Sequence, residues 1–174
     1  MSASDRAVGF GSEGYQLAFC IANRPPIDDY PHLNLLKPLV PGELDHIVGN
    51  TSNHWRKVFN VYAKFLMTLG DAPVQQWGSW QEYRDRRLLQ ADCREALLFS
   101  PPDTEKAEAI HIVAGKTYAA ALGLNNLVWL DAHFAVDASR RLIVCPYLDY
   151  RQLSNERIER LAELVRQLRQ QEPV

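Results

Sequence analysis

Short unbroken apolar runs alternate along this chain with stretches whose apolar residues recur every three to four positions. The first run is Gln16 to Ala22, which closes on Asn23-Arg24-Pro25-Pro26, where proline removes a backbone donor. Similar runs cover Ala96 to Phe99, Ala109 to Ala114, Leu127 to Leu130 and Arg141 to Cys145, each bounded by Pro, Gly, Ser or Asp. Runs of this length between turn residues predict strands buried on both faces. Between them, Trp55, Val58, Phe59, Tyr62, Leu66 and Leu69 mark one face of a 3.6-residue period. That stretch reads as a helix capped among Thr51, Ser52 and Asn53 and closed by Gly70. A less regular helix is predicted over Trp80 to Ala91 with Ser79 as cap, and a small-residue helix runs from Gly115 through Tyr118 to Leu122, ended by Gly123. The last helix covers Asn155 to about Gln171. Its core stripe is Ile158, Leu161, Ala162, Val165 and Leu168, Ser154 is its cap, and Glu156 places negative charge in the first turn. The segment from Asn23 to Gly49 holds five prolines and reads mostly as loop with one helical turn.

Strands alternating with helices predict a three-layer α/β/α sandwich around a mostly parallel central sheet of four to five strands. Residues 1–14, small and polar, are expected to be a loose N-terminus, and 15–174 a single domain. In such sheets ligands bind beyond the carboxyl ends of the strands. Those ends carry Asn23-Arg24-Pro25-Pro26, Ser100-Pro101-Pro102-Asp103, Gly115-Lys116-Thr117, Asp131-Ala132-His133 and Pro146 to Gln152.

Composition narrows the function classes. The chain has 174 residues and a net charge of -2, so no strong overall field draws it to nucleic acid or to an anionic membrane. Cys20, Cys93 and Cys145 stand too far apart for a disulfide framework or a CxxC metal site, and Cys20 and Cys145, in apolar runs, read as small buried hydrophobes. Neither a secretion signal nor an apolar stretch of about 18 residues is visible, so the cytoplasm is the expected location, without membrane association.

The tempting motifs are incomplete. Gly115-Lys116-Thr117 follows a strand as a phosphate loop does, but that loop needs a second glycine where Ile110 stands. No Gly-x-Ser-x-Gly elbow is present, and no Gly-x-Gly-x-x-Gly follows the first predicted strand. None of the five histidines pairs at metal-ligand spacing, so neither a metal nor a cofactor is expected. Asp131 and His133 point to the same side of an extended segment and could form an acid–base pair, or simply a turn. His111, inside an apolar strand, reads as a hydrogen-bonded core histidine.

Two segments carry more polar chemistry than a fold requires. They are Asn23 to Tyr30, with Arg24, Asp28 and Asp29, and Pro146 to Asn155, with Tyr147, Asp149, Tyr150 and Arg151. Tyrosine and arginine suit planar or charged groups. With Ser100 and His133 these residues make up the candidate site.

The order of elements, over roughly residues 17 to 168, resembles that of the uracil-DNA glycosylase superfamily. The matching stretches are Ile21-Ala22-Asn23-Arg24-Pro25-Pro26, Leu97-Leu98-Phe99-Ser100, Ile112-Val113-Ala114-Gly115-Lys116 and Cys145 to Ser154. The resemblance implies a shared fold, with Asn23 at the position of a water-positioning residue. Cys145 stands where that superfamily has its catalytic histidine, Ser100 where it has a base-reading asparagine, and Asp149 to Gln152 are additional. The leading expectation is therefore a domain binding a small polar ligand, nucleotide or nucleic-acid fragment at the loops after the first and fifth predicted strands. One alternative is a divergent glycosylase or other hydrolase using Asp28, Asp29, Asp131 or His133, which requires at least two of these to converge. The other is a protein-interaction domain or homo-oligomer, which requires exposed aromatics among Trp55, Trp77, Trp80 and Trp129.

Overall fold

A computed structural model of the chain describes residues 7–171. The expected strands form its centre: β2 (Leu17–Cys20), β4 (Glu95–Leu98), β5 (Ile110–Ala114) and β8 (Leu142–Cys145). They lie side by side in the order β4-β2-β5-β8, and every neighbouring pair is parallel. The complete sheet has eight strands and is mixed, so the expectation of four to five strands falls short. At one end are β1 (Gly9–Gly11), antiparallel to β4, and β3 (Leu36–Lys37), parallel to β1. At the other, β7 (Ala135–Asp137) pairs antiparallel with β8, and β6 (Val128–Trp129) antiparallel with β7.

Two of these strands correct the sequence reading directly. Gly9–Gly11 is a buried strand, although residues 1–14 were expected to be loose; residues 1–6 lie outside the described residues. The Gly9-x-Gly11-x-x-Gly14 spacing is that of a dinucleotide loop, but it precedes β2 and leads into no helix, so no helix N-terminus stands ready for a phosphate. The run Leu127 to Leu130, expected as a buried strand, yields only the two-residue β6, exposed along its length. A hairpin rather than a helical crossover joins β7 to β8, so β6 falls at the sheet's outer edge.

Register explains the layering. Leu97, Phe19, Ile112 and Ile143 lie abreast across the four parallel strands, and the next row is Leu98, Cys20, Val113 and Val144. Successive residues face opposite sides. The face with Phe19 packs under α1 (Glu43–Asn50), α2 (Asn53–Leu69), α3 (Ala72–Gln75), α4 (Trp80–Arg86) and α6 (Asn155–Gln170). The face with Ala18, Cys20 and Ala96 is covered by α5 (Lys116–Ala121) and by connecting segments that supply Leu122, Leu124 and Leu127. The third layer of the expected sandwich is thus one six-residue helix and loops. Small side chains on that side let the covering chain lie close, while bulky ones on the other side hold five helices off the sheet.

The predicted helices form at α2, α4, α5 and α6. Ser79 accepts a hydrogen bond from the Glu82 N–H, whereas Ser52 and Ser154 occupy their cap positions without a side-chain bond. Helix α1 was read as loop because Pro38 and Pro41 precede it. Its buried Leu44 and Ile47 are spaced for one helical face. Cys20 and Cys145 are buried as expected, and Cys93 is buried as well. Among the described residues no helix is long and apolar enough to cross a membrane.

His111 sits on the thin face, where the Tyr15 hydroxyl lies 2.8 Å from Nε2. Burial drives its pKa down to about 4. The unfolded ring titrates near pH 6.5, so below that value the unfolded state takes up the extra proton and stability falls until the folded ring also titrates. Denaturation curves should lose about 3 kcal/mol through this group as pH drops from about 6.5 to about 4. In a His111→Gln variant that part of the slope should vanish.

Candidate functional site

The four parallel strands point their carboxyl ends at one edge, where the chain continues as Ile21 after β2, Phe99 after β4, Gly115 after β5 and Pro146 after β8. Connections leave β2 for β4 on one side and return to β5 on the other, so the switch point favoured for ligands lies between β2 and β5. Beyond β5 and β8 opens a cleft of about 480 Å³, within the range of small-molecule sites. Gly115 to Tyr118 form one wall, Ala132 and His133 a second, and Pro146, Tyr147 and Gln152 a third. Gly115 takes φ +100°, which turns β5 directly into α5 and leaves Lys116 exposed at the rim.

Tyr147 ties the cleft to residues far away in sequence. Its hydroxyl is 2.8 Å from His54 Nε2, and the two rings stack at 5.4 Å with 19° between planes. Burial raises the Tyr147 pKa, while a hydrogen bond from the Asn23 side chain opposes the rise. The His54 pKa is lowered, mainly by burial and also by Lys57, against the pull of Asp149. A neutral imidazole can accept a hydrogen bond from the phenol hydroxyl. The His54–Tyr147 relay is assembled from the first turn of α2 and the loop after β8.

The rest of the β8 loop is pinned rather than free. Asp149 lies 3.7 Å from Lys57 and accepts the Arg151 N–H at 2.8 Å. Tyr150 is exposed, with Lys57 Nζ 5.3 Å and the Arg151 guanidinium 5.6 Å from its ring centroid. These three residues shape the loop outside the cleft, and Tyr147 is the member that lines it. On the opposite wall Arg157 donates to His133 Nε2 at 3.0 Å and to the Gln152 carbonyl at 2.6 Å. Asp131 accepts the N–H groups of His133 at 2.7 Å and Phe134 at 2.9 Å, and these bonds lower its pKa. Of the two readings of this segment, the turn is the one formed, with His133 presented to the cleft from it. Lys116 Nζ rests 5.1 Å from the Trp129 ring centroid.

Other candidates are engaged elsewhere. Arg24 donates to the carbonyls of Tyr30, Pro31 and Leu33 at 3.3, 3.1 and 2.9 Å, locking its own loop. Asp28 pairs with His46 at 2.7 Å, and the Ser100 hydroxyl accepts the Val8 N–H at 2.9 Å. None of them lines the cleft. Asp28, Asp29, Asp131 and His133 therefore do not converge on one point there, and the hydrolase built on them loses its premise. Trp55 is buried, Trp77 and Trp80 are half-buried, and Trp129 is exposed. Among the described residues no cluster of three His, Cys, Asp or Glu side chains could hold a metal ion. Sequence reasoning overlooked His54 and Arg157, and named Gln152 only as part of the loop after the last strand. A histidine just off the apolar stripe in the first turn of α2 is the available signal for His54; Arg157 sits on a helix face that reads as solvated.

The architecture is that of a mixed-sheet α/β domain with an open cleft at the carboxyl edge of its parallel strands. The chain belongs to the family of unknown function DUF6942, whose family model matches residues 8–166. Comparison with curated proteins and with solved structures returns no match.

Proposed function

We propose that this protein binds a small anionic ligand in the cleft beyond β5 and β8. The observation that carries the reading is convergence: Lys116, the Arg157-bound His133 and Tyr147 reach one cleft from three separate segments. Lys116 and Arg157 supply positive charge, and the Tyr147 relay supplies a fixed polar wall. A preformed concave site with few, placed polar groups is the usual form of a small-molecule site. Thermal-shift titration with inorganic phosphate, nucleotides, free bases and short oligonucleotides tests it. At least one anion should raise the melting temperature, and Lys116→Gln should weaken its binding roughly tenfold through loss of a charge-assisted bond. If no anion stabilises the protein, the reading fails.

One observation favours a second reading, glycosylase-like hydrolysis. The imidazole that position 145 lacks is offered by His54 to Tyr147, two residues further along the same loop. Asn23, the residue matched to a water-positioning role, acts to lower the pKa of the same tyrosine. Incubation with a uracil-containing oligonucleotide tests it, and base release no faster than in a protein-free control would remove it.

A further inference from the structure

We propose that the ligand of this cleft carries a flat aromatic ring beside its anionic group, as a mononucleotide does, and that Trp129 is the platform on which the ring stacks. This rests on the cleft reading above and names the chemical class of its ligand.

Val128, Trp129 and Leu130 are consecutive large apolar residues with relative exposures of 64%, 45% and 44%. Val128 and Trp129 form β6 and Leu130 follows it, just before the cleft-lining Ala132 and His133. The platform is held firmly. Trp129 pairs with Ala135 across the hairpin, the Leu130 N–H donates to the Phe134 carbonyl at 2.9 Å, and Phe134 is buried. A rigid, exposed indole loses little freedom on binding, which favours stacking.

Lys116 couples the platform to the cleft. Its ammonium lies over the Trp129 ring while its own residue lines the cleft, so both parts of the ligand fall within reach of one side chain. Among the described residues no carboxylate pairs with it. A cation held on an aromatic face, rather than by a carboxylate, is available to an incoming anion. When Lys116 turns toward the anion it uncovers the indole face, and the ligand's ring takes that place. One side chain then links recognition of the charge to recognition of the ring.

Calorimetric titration with ribose 5-phosphate and adenosine monophosphate tests the inference on the full chain. The wild-type protein should bind the nucleotide about tenfold more tightly, the scale of one base–aromatic stack. Trp129→Ala should bring the two ligands to equal affinity without weakening ribose 5-phosphate, and Trp129→Phe should keep most of the difference. Equal affinities on the wild-type protein would overturn the inference while leaving the anion-binding cleft standing. An equal weakening of both ligands by Trp129→Ala would also overturn it, because it would make the indole a structural support. Failure of both ligands to bind would overturn this inference, and the cleft reading would fall with it only if no other anion stabilises the protein.

Discussion

Gly9→Ala should cost more than about 4 kcal/mol, a large share of the roughly 5–15 kcal/mol that keeps a domain folded. Gly9 takes φ +152°, and a Cβ placed there would stand 2.0 Å from the Leu97 carbonyl oxygen and 2.9 Å from the Leu98 Cα. Both are backbone atoms of β4, which is bonded to β1 on one side and to β2 on the other, so neither can retreat. The alternative is to release β1. That would expose Phe10, which is fully buried with its ring 5.4 Å from Tyr30 and 5.1 Å from Phe99. It would also break the Val8–Ser100 bond and uncover the edge of β4. Gly14→Ala is the control, because a Cβ there meets nothing within 4 Å. Urea denaturation followed by circular dichroism should place Gly14→Ala within about 0.5 kcal/mol of wild type.

Glu95→Ala should destabilise by about 4 kcal/mol at mildly acidic pH. The Glu95 carboxyl is buried at the start of β4, with the Tyr83 hydroxyl 2.8 Å from each oxygen and the Leu89 N–H donating at 3.0 Å. It therefore ties α4, and the turn that follows it, to the sheet. Truncation strands two buried donors and opens a cavity, and each contributes a cost. Burial raises the Glu95 pKa. With a folded value above the ordinary carboxylate value near 4.3, the folded state holds the proton longer, so this group's stabilisation is complete at low pH and is lost as pH rises through the folded pKa. Alanine has no such loss. Denaturation across a pH series should accordingly show the wild type's advantage narrowing as pH rises.

How far the fold could be read from sequence depended on segment length. Helices α2 and α6 span 17 and 16 residues, long enough for a helical stripe to repeat several times. The four parallel strands were visible as apolar runs because both their faces are covered. The unforeseen strands β1, β3 and β7 hold two or three residues each, too few to carry any period. Gly9 and Gly11 misled most, since glycine reads as slack chain and here serves close backbone approach. The unequal layers were written in the alternation Leu17-Ala18-Phe19-Cys20, bulky toward the helices and small toward α5. Because both faces are apolar, the run read as uniformly buried.

The candidate site was legible by place more than by residue. Strand-end reasoning found Asn23, His133 and Tyr147, which do gather at the carboxyl edge. It also named Arg24, Asp28 and Ser100, whose hydrogen bonds hold loops instead. His54 escaped because its partner Tyr147 is 93 positions away, and no local spacing encodes such a meeting. Arg157 escaped for a similar reason, since its bond to His133 closes over 24 positions.

The most direct test of the anion-binding cleft is an amide-resolved NMR titration with adenosine monophosphate. The largest shifts are predicted at Lys116, Thr117, His133, Tyr147 and Gln152, with little change at the opposite sheet edge around Arg87 and Arg94. Shifts centred on that opposite edge would contradict a ligand site beyond β5 and β8.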